Sequence, residues 1–332
     1  MLNFQIFHYE CTIRTPFYIG ICRYRRVFFI MLLQDVLKEF VFDCEIRKMS
    51  SRTIKSYRNN NQRFFNYTQG EFQVTELEEV THLHIKHYFQ FLIAKGLTES
   101  YVNGILKCFR AFFVYCVKEE YINKSPCLKV SWQREPKTLI DTFTDEEVIN
   151  MLKVYDYSNY LNARNKAIMA FLIDTGARNF ETCSIKNIDI KENYVVIHGK
   201  GKKERQVAIS PQLKKIMIKY ERIKDFYFKD KNVRHDNYFL SNTGLPLTIE
   251  AIERIVRMAG EVANVRKEIR CSPHTCRHYA AQTQLKNGLD VYSLSRILGH
   301  ENIMITKRYL QSLQDADIVS MSVKTSPLMN LR

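Results

Sequence analysis

Five short segments in the second half of the chain hold residues whose types and order could do chemistry on a phosphate. Asp174-Thr-Gly-Ala-Arg178 follows an apolar stretch, and Glu181 lies within reach of Arg178 across one helical turn. An Arg so placed can grip a phosphate through two N–H groups while the carboxylate fixes the plane of its guanidinium. The glycine-flanked stretch from Gly199 to Arg205 carries Lys200, Lys202, Lys203 and Arg205, and can bring an ammonium against an anion. Ser272-Pro-His-Thr-Cys-Arg277-His278 reads as a helix start, because Ser is a good N-cap and Pro a good first helical residue. His274 and Arg277 then share a face in the first turn, where the helix N-terminus adds partial positive charge. Leu298-Gly-His300 follows, and Tyr309 stands nine residues beyond His300.

Taken singly, each segment has a plainer reading: a structural Arg–Glu pair, a solvated basic turn, one tyrosine among 19. Taken together they describe a site in which two Arg, two His and a Lys surround one phosphodiester and a phenol attacks it. Negative charge builds on five-coordinate phosphorus, and pre-aimed Arg and His donors stabilise it. A phenol with a pKa near 10 needs cationic neighbours and a base to become a nucleophile at neutral pH. The leaving sugar oxygen needs a proton, which a Lys can supply. No carboxylate cluster suited to Mg²⁺ accompanies these residues, so no metal and no cofactor is expected. A zinc site at Cys271, His274, Cys276 and His278 is the sharpest rival. Zinc ligands usually come as two pairs across a longer loop, and a helix starting at Pro273 spreads these four apart.

These segments must be positioned by a frame, and composition bounds it. At 332 residues the chain is long enough for about two domains. Its 11 Gly and 7 Pro are too few for a turn-laden β sandwich or a low-complexity protein. Lys and Arg number 50 against 35 Asp and Glu, a net charge of +15, which points to a polyanionic partner. No uncharged apolar run approaches the roughly 20 residues of a membrane span. Arg14, Arg23, Arg25 and Arg26 interrupt the first 30 residues, so these do not read as a signal peptide. Nine scattered Cys, an odd number, suit reduced thiols in a cytoplasmic protein.

Residues 1–30 lack periodicity and read as an N-terminal extension, either an accessory arm or a consequence of start-codon choice. From Leu33 the apolar spacing predicts four helices within 31–124, the second capped by Ser51 and the third by Thr81, with Gly96 just past the third. Arg52, Lys55, Arg58, Lys107 and Arg110 fall between the apolar positions and read individually as a solvated helix face. Residues 125–141, containing Pro126 and Pro136, read as a linker. A second domain, 142–315, opens on the capping box Thr144-Asp-Glu-Glu147. It continues with a buried helix near 163–174, a hairpin of Val195–His198 and Gln206–Ile209, and helices over 211–224, 248–264, 273–287, 291–298 and 302–312. Residues 316–332 form a tail. The fold class is therefore mainly α, a four-helix bundle followed by an α-rich domain with one small β-hairpin.

Over about 31–315 the chain resembles the tyrosine recombinases of the Xer and phage-integrase type. The resemblance rests on TGAR (175–178), HGKGKKER (198–205), SPHTCRH (272–278), LGHE (298–301) and Tyr309, in this order and spacing. It implies a core-binding DNA domain at 31–124 and a catalytic domain at 142–315. It implies catalytic roles for Arg178, His274, Arg277 and His300, for Lys200 with Lys202 as the fallback, and for Tyr309 as the nucleophile, with Glu181 in support. Arg52, Lys55, Lys107, Arg110, Lys202 and Arg205 are candidates for DNA contact. The implied activity is site-specific breakage and rejoining of DNA through a 3′-phosphotyrosine, for integration, excision, inversion or dimer resolution. The implied partners are double-stranded DNA, further copies of the chain as a tetramer on two sites, and accessory DNA-bending or directionality proteins, at the nucleoid of a bacterial cytoplasm. No membrane partner is implied. The resemblance implies that the tail docks on a neighbouring subunit, while by sequence alone it reads equally as a disordered tail. Two departures bear only on the subfamily: Asn-Phe-Glu-Thr-Cys after Arg178 is less apolar than usual, and Leu-Gln-Ser follows Tyr309 where a His is common. A DNA-binding regulator without catalysis and a type IB topoisomerase are the alternatives.

Overall fold

A computed structural model describes residues 31–136, 140–199, 203–324 and 326–330. The expected N-terminal extension, 1–30, lies outside the described residues. The chain divides into two compact units between residues 137 and 138.

The first unit is built of α1 (Leu33–Ile46), α2 (Ser51–Phe72), α3 (His82–Ala94) and α4 (Glu99–Lys118). Each helix buries one apolar stripe, and Phe40, Phe64, Phe65, Phe109, Phe112 and Phe113 are almost wholly enclosed between them. Phe64 and Phe109 pack with ring centroids 4.7 Å apart. The cap of α2 is Ser50 rather than Ser51: its Oγ accepts the Thr53 N–H at 3.1 Å. Thr81 caps α3 as its sequence suggests, and Gly96 follows with φ +78°.

The stretch that reads as a linker from residue 125 instead continues this unit. Pro126–Lys129 forms a 3₁₀ turn that buries Cys127, and Val130 is buried behind it. Asn103 ties the segment that follows, donating to the Gln133 carbonyl at 2.9 Å and accepting from the Gln133 N–H at 2.8 Å. Two apolar side chains with a groove to fill outweigh the turn signal of Pro126.

The second unit comprises α5 (Asp145–Lys153), α6 (Tyr160–Thr175), α7 (Asn179–Ser184), the strands β1 (Tyr194–His198) and β2 (Glu204–Ala208), α8 (Pro211–Phe228), α9 (Ile249–Val262) and α10 (Pro273–Lys286). It ends with α11 (Val291–Leu298), α12 (Ile303–Lys307), a 3₁₀ turn (Arg308–Ser312), α13 (Asp315–Lys324) and a last 3₁₀ turn (Pro327–Asn330). The architecture is mainly helical with one two-stranded antiparallel sheet. Over residues 167–172 helix α6 is apolar and buried on all sides, with Ala167, Ile168, Met169, Phe171 and Leu172 enclosed in the core. Ser272 caps α10 by accepting the Thr275 N–H, with Pro273 in the first turn. A smaller cluster of Ala281, Leu285, Leu294 and Leu298 seats the Tyr309 ring between α10 and α11.

The C-terminal elements also differ from their sequence reading. The run 302–312 is not one helix: α12 stops after five residues and Tyr309 rides on the 3₁₀ turn. The tail expected from residue 316 begins instead as α13, on which Ile318, Val319 and Val323 are exposed. Among the described residues no helix is long and apolar enough to cross a membrane.

Candidate active site

The site begins where α6 ends. Gly176 closes that helix in the left-handed region at φ +63°, and a Cβ there would come within 3.0 Å of Leu298 and 3.3 Å of Ala280. The turn delivers Arg178 to the N-terminus of α7. Its backbone N–H and its Nη1 both donate to the Glu181 carboxylate at 2.8 Å, and its Nη2 donates to the Gly299 carbonyl at 2.9 Å. The Arg178 side chain stays 43% exposed, so the guanidinium is braced yet open to a ligand.

Glu181 is only 3% exposed and carries a second cation. Arg205 donates from Nη1 and Nη2 to its two oxygens at 2.8 and 2.7 Å, and from Nε to the Ile297 carbonyl at 2.6 Å. Burial pushes the Glu181 pKa up, but the Arg205 and Arg178 contacts outweigh it and hold the carboxyl below its usual range. Arg205, expected in a loop facing DNA, is thus an internal strut with a side chain 12% exposed. The reason is register. Strand β2 begins at Glu204, so Arg205 pairs with Ile197 and shares the inward face with Val195 and Val207. Gly299 makes room for it: φ is +66°, and a Cβ would meet the Arg205 guanidinium at 3.1 Å.

Arg277 is 3% exposed and held on three sides. Nη1 donates to the Gly176 carbonyl at 2.8 Å, and Nη2 donates to the Leu298 carbonyl at 2.8 Å and to His300 Nε2 at 2.9 Å. A guanidinium has no acceptor, so the Nε2 of His300 must be unprotonated here, and Nδ1–H donates to Thr306 Oγ1 at 2.7 Å. Burial, then the charges of Arg277, Arg178 and Arg205, push the His300 pKa down to about 4. His300 is therefore a neutral acceptor in the free protein. An incoming phosphate would offset those cations and favour the protonated, donating form.

Tyr309 is 3% exposed, and its Oη lies 2.9 Å from His278 Nδ1. Burial raises the phenol pKa, while Arg277, Arg308 and Arg178 pull it back down. The His274 and His278 rings meet edge to face at 4.2 Å. Partial burial and the charges of Arg277, Arg178 and Arg308 keep the His274 pKa below its ordinary value. Arg178, Glu181, His274, Arg277, His300 and Tyr309, all singled out in the sequence, therefore lie in one network. This arrangement can bind a phosphodiester anion and set a phenol against it.

Lys200 and Lys202 lie outside the described residues. Their neighbour Lys203 forms an ion pair with Glu301 at 2.7 Å. Arg52, Lys55 and Lys107 are exposed on α2 and α4 of the first unit. Arg110 is engaged internally, donating to the Val130 carbonyl at 3.0 Å with its guanidinium 4.2 Å from the Trp132 ring. Among the described residues no group of three or more His, Cys, Asp or Glu could hold a metal ion. Cys276 is wholly buried and Cys271 packs against Gly260. Sequence reasoning missed the contact of His278 with the phenol, the brace of Thr306 on His300 and the cation at Arg308. His278 does carry a signal, since it lies four residues from His274 and so on the same helix face.

This network can receive a phosphodiester anion beside a phenol, and the chain is similar to proteins named for such chemistry. Residues 141–315 match the phage integrase family, and residues 36–123 match its N-terminal SAM-like domain. A tyrosine recombinase XerC of Bacillus pumilus is 30% identical over 290 residues, covering 85% of this chain and 93% of the relative. The XerH site-specific recombinase bound to a palindromic difH substrate, in a post-cleavage complex, shares the fold with a TM-score of 0.68 at 20% identity, over 90% of this chain and 84% of that one. A lambda integrase tetramer bound to a Holliday junction shares it with a TM-score of 0.66 at 15% identity, over 84% of this chain and 77% of that one. The chain belongs to the phage integrase family. It is a tyrosine recombinase, an enzyme that cuts and rejoins DNA at specific sites.

Proposed function

We propose that Tyr309 is the nucleophile of this recombinase and that Arg178 and Arg277 hold the scissile phosphate for it. The observation that carries this reading is that two consecutive residues of α10 reach both partners of the site: Arg277 donates to His300 Nε2 at 2.9 Å, and His278 Nδ1 lies 2.9 Å from the Oη of the buried Tyr309. Arg277, His274 and a substrate-protonated His300 stabilise the charge of the five-coordinate transition state. Lys200, with Lys202 as the fallback, protonates the leaving 5′ oxygen. The product is a 3′-phosphotyrosine that conserves the bond energy, so rejoining needs neither ATP nor a metal ion. Glu181 works indirectly, by aligning Arg178. Among the rivals, a regulator without catalysis has no use for the assembled phenol. A topoisomerase would relax a single duplex as a monomer.

The working assembly is a tetramer on two DNA sites, within the cytoplasm and at the nucleoid. The exposed Ile318, Val319 and Val323 of α13 suit docking on a neighbouring copy. Accessory DNA-bending or directionality proteins would set the outcome among integration, excision, inversion and dimer resolution.

The test is a nicked suicide duplex that traps the covalent adduct. Tyr309→Phe removes one hydroxyl from a ring that otherwise packs as before. It is expected to bind DNA within a few-fold of wild type and to form no adduct. Adduct formation by that variant would overturn the assignment.

A further inference from the structure

The phenol of Tyr309 is approached by two consecutive residues of α10. Arg277 brings a positive charge and hydrogen-bond donors. His278 brings Nδ1 to 2.9 Å from Oη. A guanidinium only donates, so of these two groups only the imidazole can accept the phenolic proton. We propose that His278 is the general base of DNA cleavage, taking the Tyr309 proton as the phenolic oxygen attacks phosphorus. This rests on Tyr309 being the nucleophile.

The step balances. The O–H bond of Tyr309 breaks and its proton passes to Nδ1 of His278. The Oη–P bond forms as the bond from phosphorus to the 5′ oxygen breaks, and that oxygen takes a proton from a separate acid, the hairpin lysine. Rejoining runs the same transfers backwards, with His278 returning its proton to the departing phenolate. His278 is the catalytic residue here because it touches the reacting atom. His274, in edge contact with it at 4.2 Å, supports the ring.

The surroundings make this base conditional on substrate. The charged and titratable groups around His278 are His274 and Arg277 on its own helix and Arg308 and Tyr309 on the 3₁₀ turn. Burial first, and then His274, Arg277 and Arg308, hold its pKa at about 4. In free protein the ring is therefore neutral and able to accept, yet too weak a base to deprotonate a phenol whose own pKa is raised. A DNA phosphate bound among these cations offsets their charge, which strengthens the base and brings the two pKa values together. The nucleophile stays protonated until its target is present.

The experiment measures single-turnover adduct formation on a nicked suicide duplex, and on the same duplex with sulfur replacing the scissile 5′ oxygen. The variants are His278→Asn and His278→Gln, whose amides can accept from the hydroxyl and cannot take its proton. Both should bind DNA like wild type and cleave about 10²–10⁴-fold more slowly at neutral pH. The deficit should shrink about tenfold for each unit of rising pH, because solvent hydroxide then removes the phenolic proton. The sulfur substrate, whose thiolate leaves without a proton, should not restore the rate.

Cleavage within threefold of wild type in both variants overturns the proposal. So does a deficit that is constant with pH, which marks a packing role, or rescue by sulfur, which marks an acid. If one variant loses DNA binding, the other carries the same readouts. Tyr309→Phe separates the two claims: adducts in that variant sink the nucleophile assignment, whereas adducts absent there but normal in both His278 variants sink only the base.

Discussion

At the scale of single residues, the site is organised around one buried carboxylate. Glu181 accepts from Arg178 and from Arg205, so three charges with a net positive balance lie together behind the open face of Arg178. Breaking a buried pair from one side leaves an uncompensated charge and costs about 3–5 kcal/mol. A subtler change separates support from contact. Arg205→Lys keeps the charge and loses the fork that spans both Glu181 oxygens and the Ile297 carbonyl. We expect cleavage to fall roughly 10–100-fold through displacement of Arg178, since small misplacements of a positioning group are costly. DNA affinity and its salt slope should stay as in wild type. A phosphate-contacting Arg205 would instead weaken binding and lower the salt slope by about one. Filter binding across a salt series, beside single-turnover cleavage, tells these apart.

At the scale of elements, the sequence made the frame readable wherever local chemistry decides it. Helix α5 starts where Thr144 and Glu147 cap each other, the Thr144 N–H donating to Glu147 at 2.8 Å and the Glu147 N–H to Thr144 at 3.2 Å. Ser272-Pro273 opens α10 for the same kind of reason. Legibility failed where a choice depends on distant packing. Two adjacent serines make equal caps by sequence, and the fold selects Ser50. The hairpin register depends on which face meets the core, and a start at Glu204 turned Arg205 inward. Cys127 and Val130 count as core only once the bundle offers them a groove. The neutral, accepting state of His300 depends on Arg277 and Thr306, which no motif links.

The α5 cap also carries a tertiary tie that is testable by pH. Glu147 accepts from Arg266 Nε at 2.8 Å. The Arg266 hydrogen bond, aided by the Thr144 and Arg266 backbone N–H groups and opposed by burial, holds the Glu147 pKa at about 2 against an ordinary 4.5. A depressed folded-state pKa stabilises the fold above the unfolded pKa, and this contribution disappears as pH falls from about 4.5 to about 2. Glu147→Gln should lower unfolding free energy by about 1 kcal/mol at pH 7, the usual scale of a lost cap and a partly exposed pair. The gap to wild type should close toward the acid end of that window. Urea midpoints at neutral and acid pH measure it, and a gap independent of pH would assign the loss to packing instead.

At the scale of the whole molecule, the net charge of +15 has to be divided by what each cation is doing. Arg205 and Arg110 are engaged inside their own units, so they are expected to release no counterions when DNA binds. Arg52, Lys55 and Lys107 are exposed on α2 and α4, where they are available to backbone phosphates. Charge count alone would rank all five alike, so the salt dependence of binding separates them. The full chain should lose affinity about 10³-fold or more between 50 and 200 mM salt, as expected for six or more phosphate contacts. Replacing Arg52, Lys55 and Lys107 together with Ala should lower the slope of log affinity against log salt by about 0.9 for each contact removed, roughly 2.7 in all. Arg110→Ala should leave that slope where it was and show itself as a lower urea midpoint, because it frees the Val130 carbonyl and uncovers Trp132. An unchanged slope in the triple variant would return those three cations to an ordinary solvated face and move the DNA surface of the first unit elsewhere.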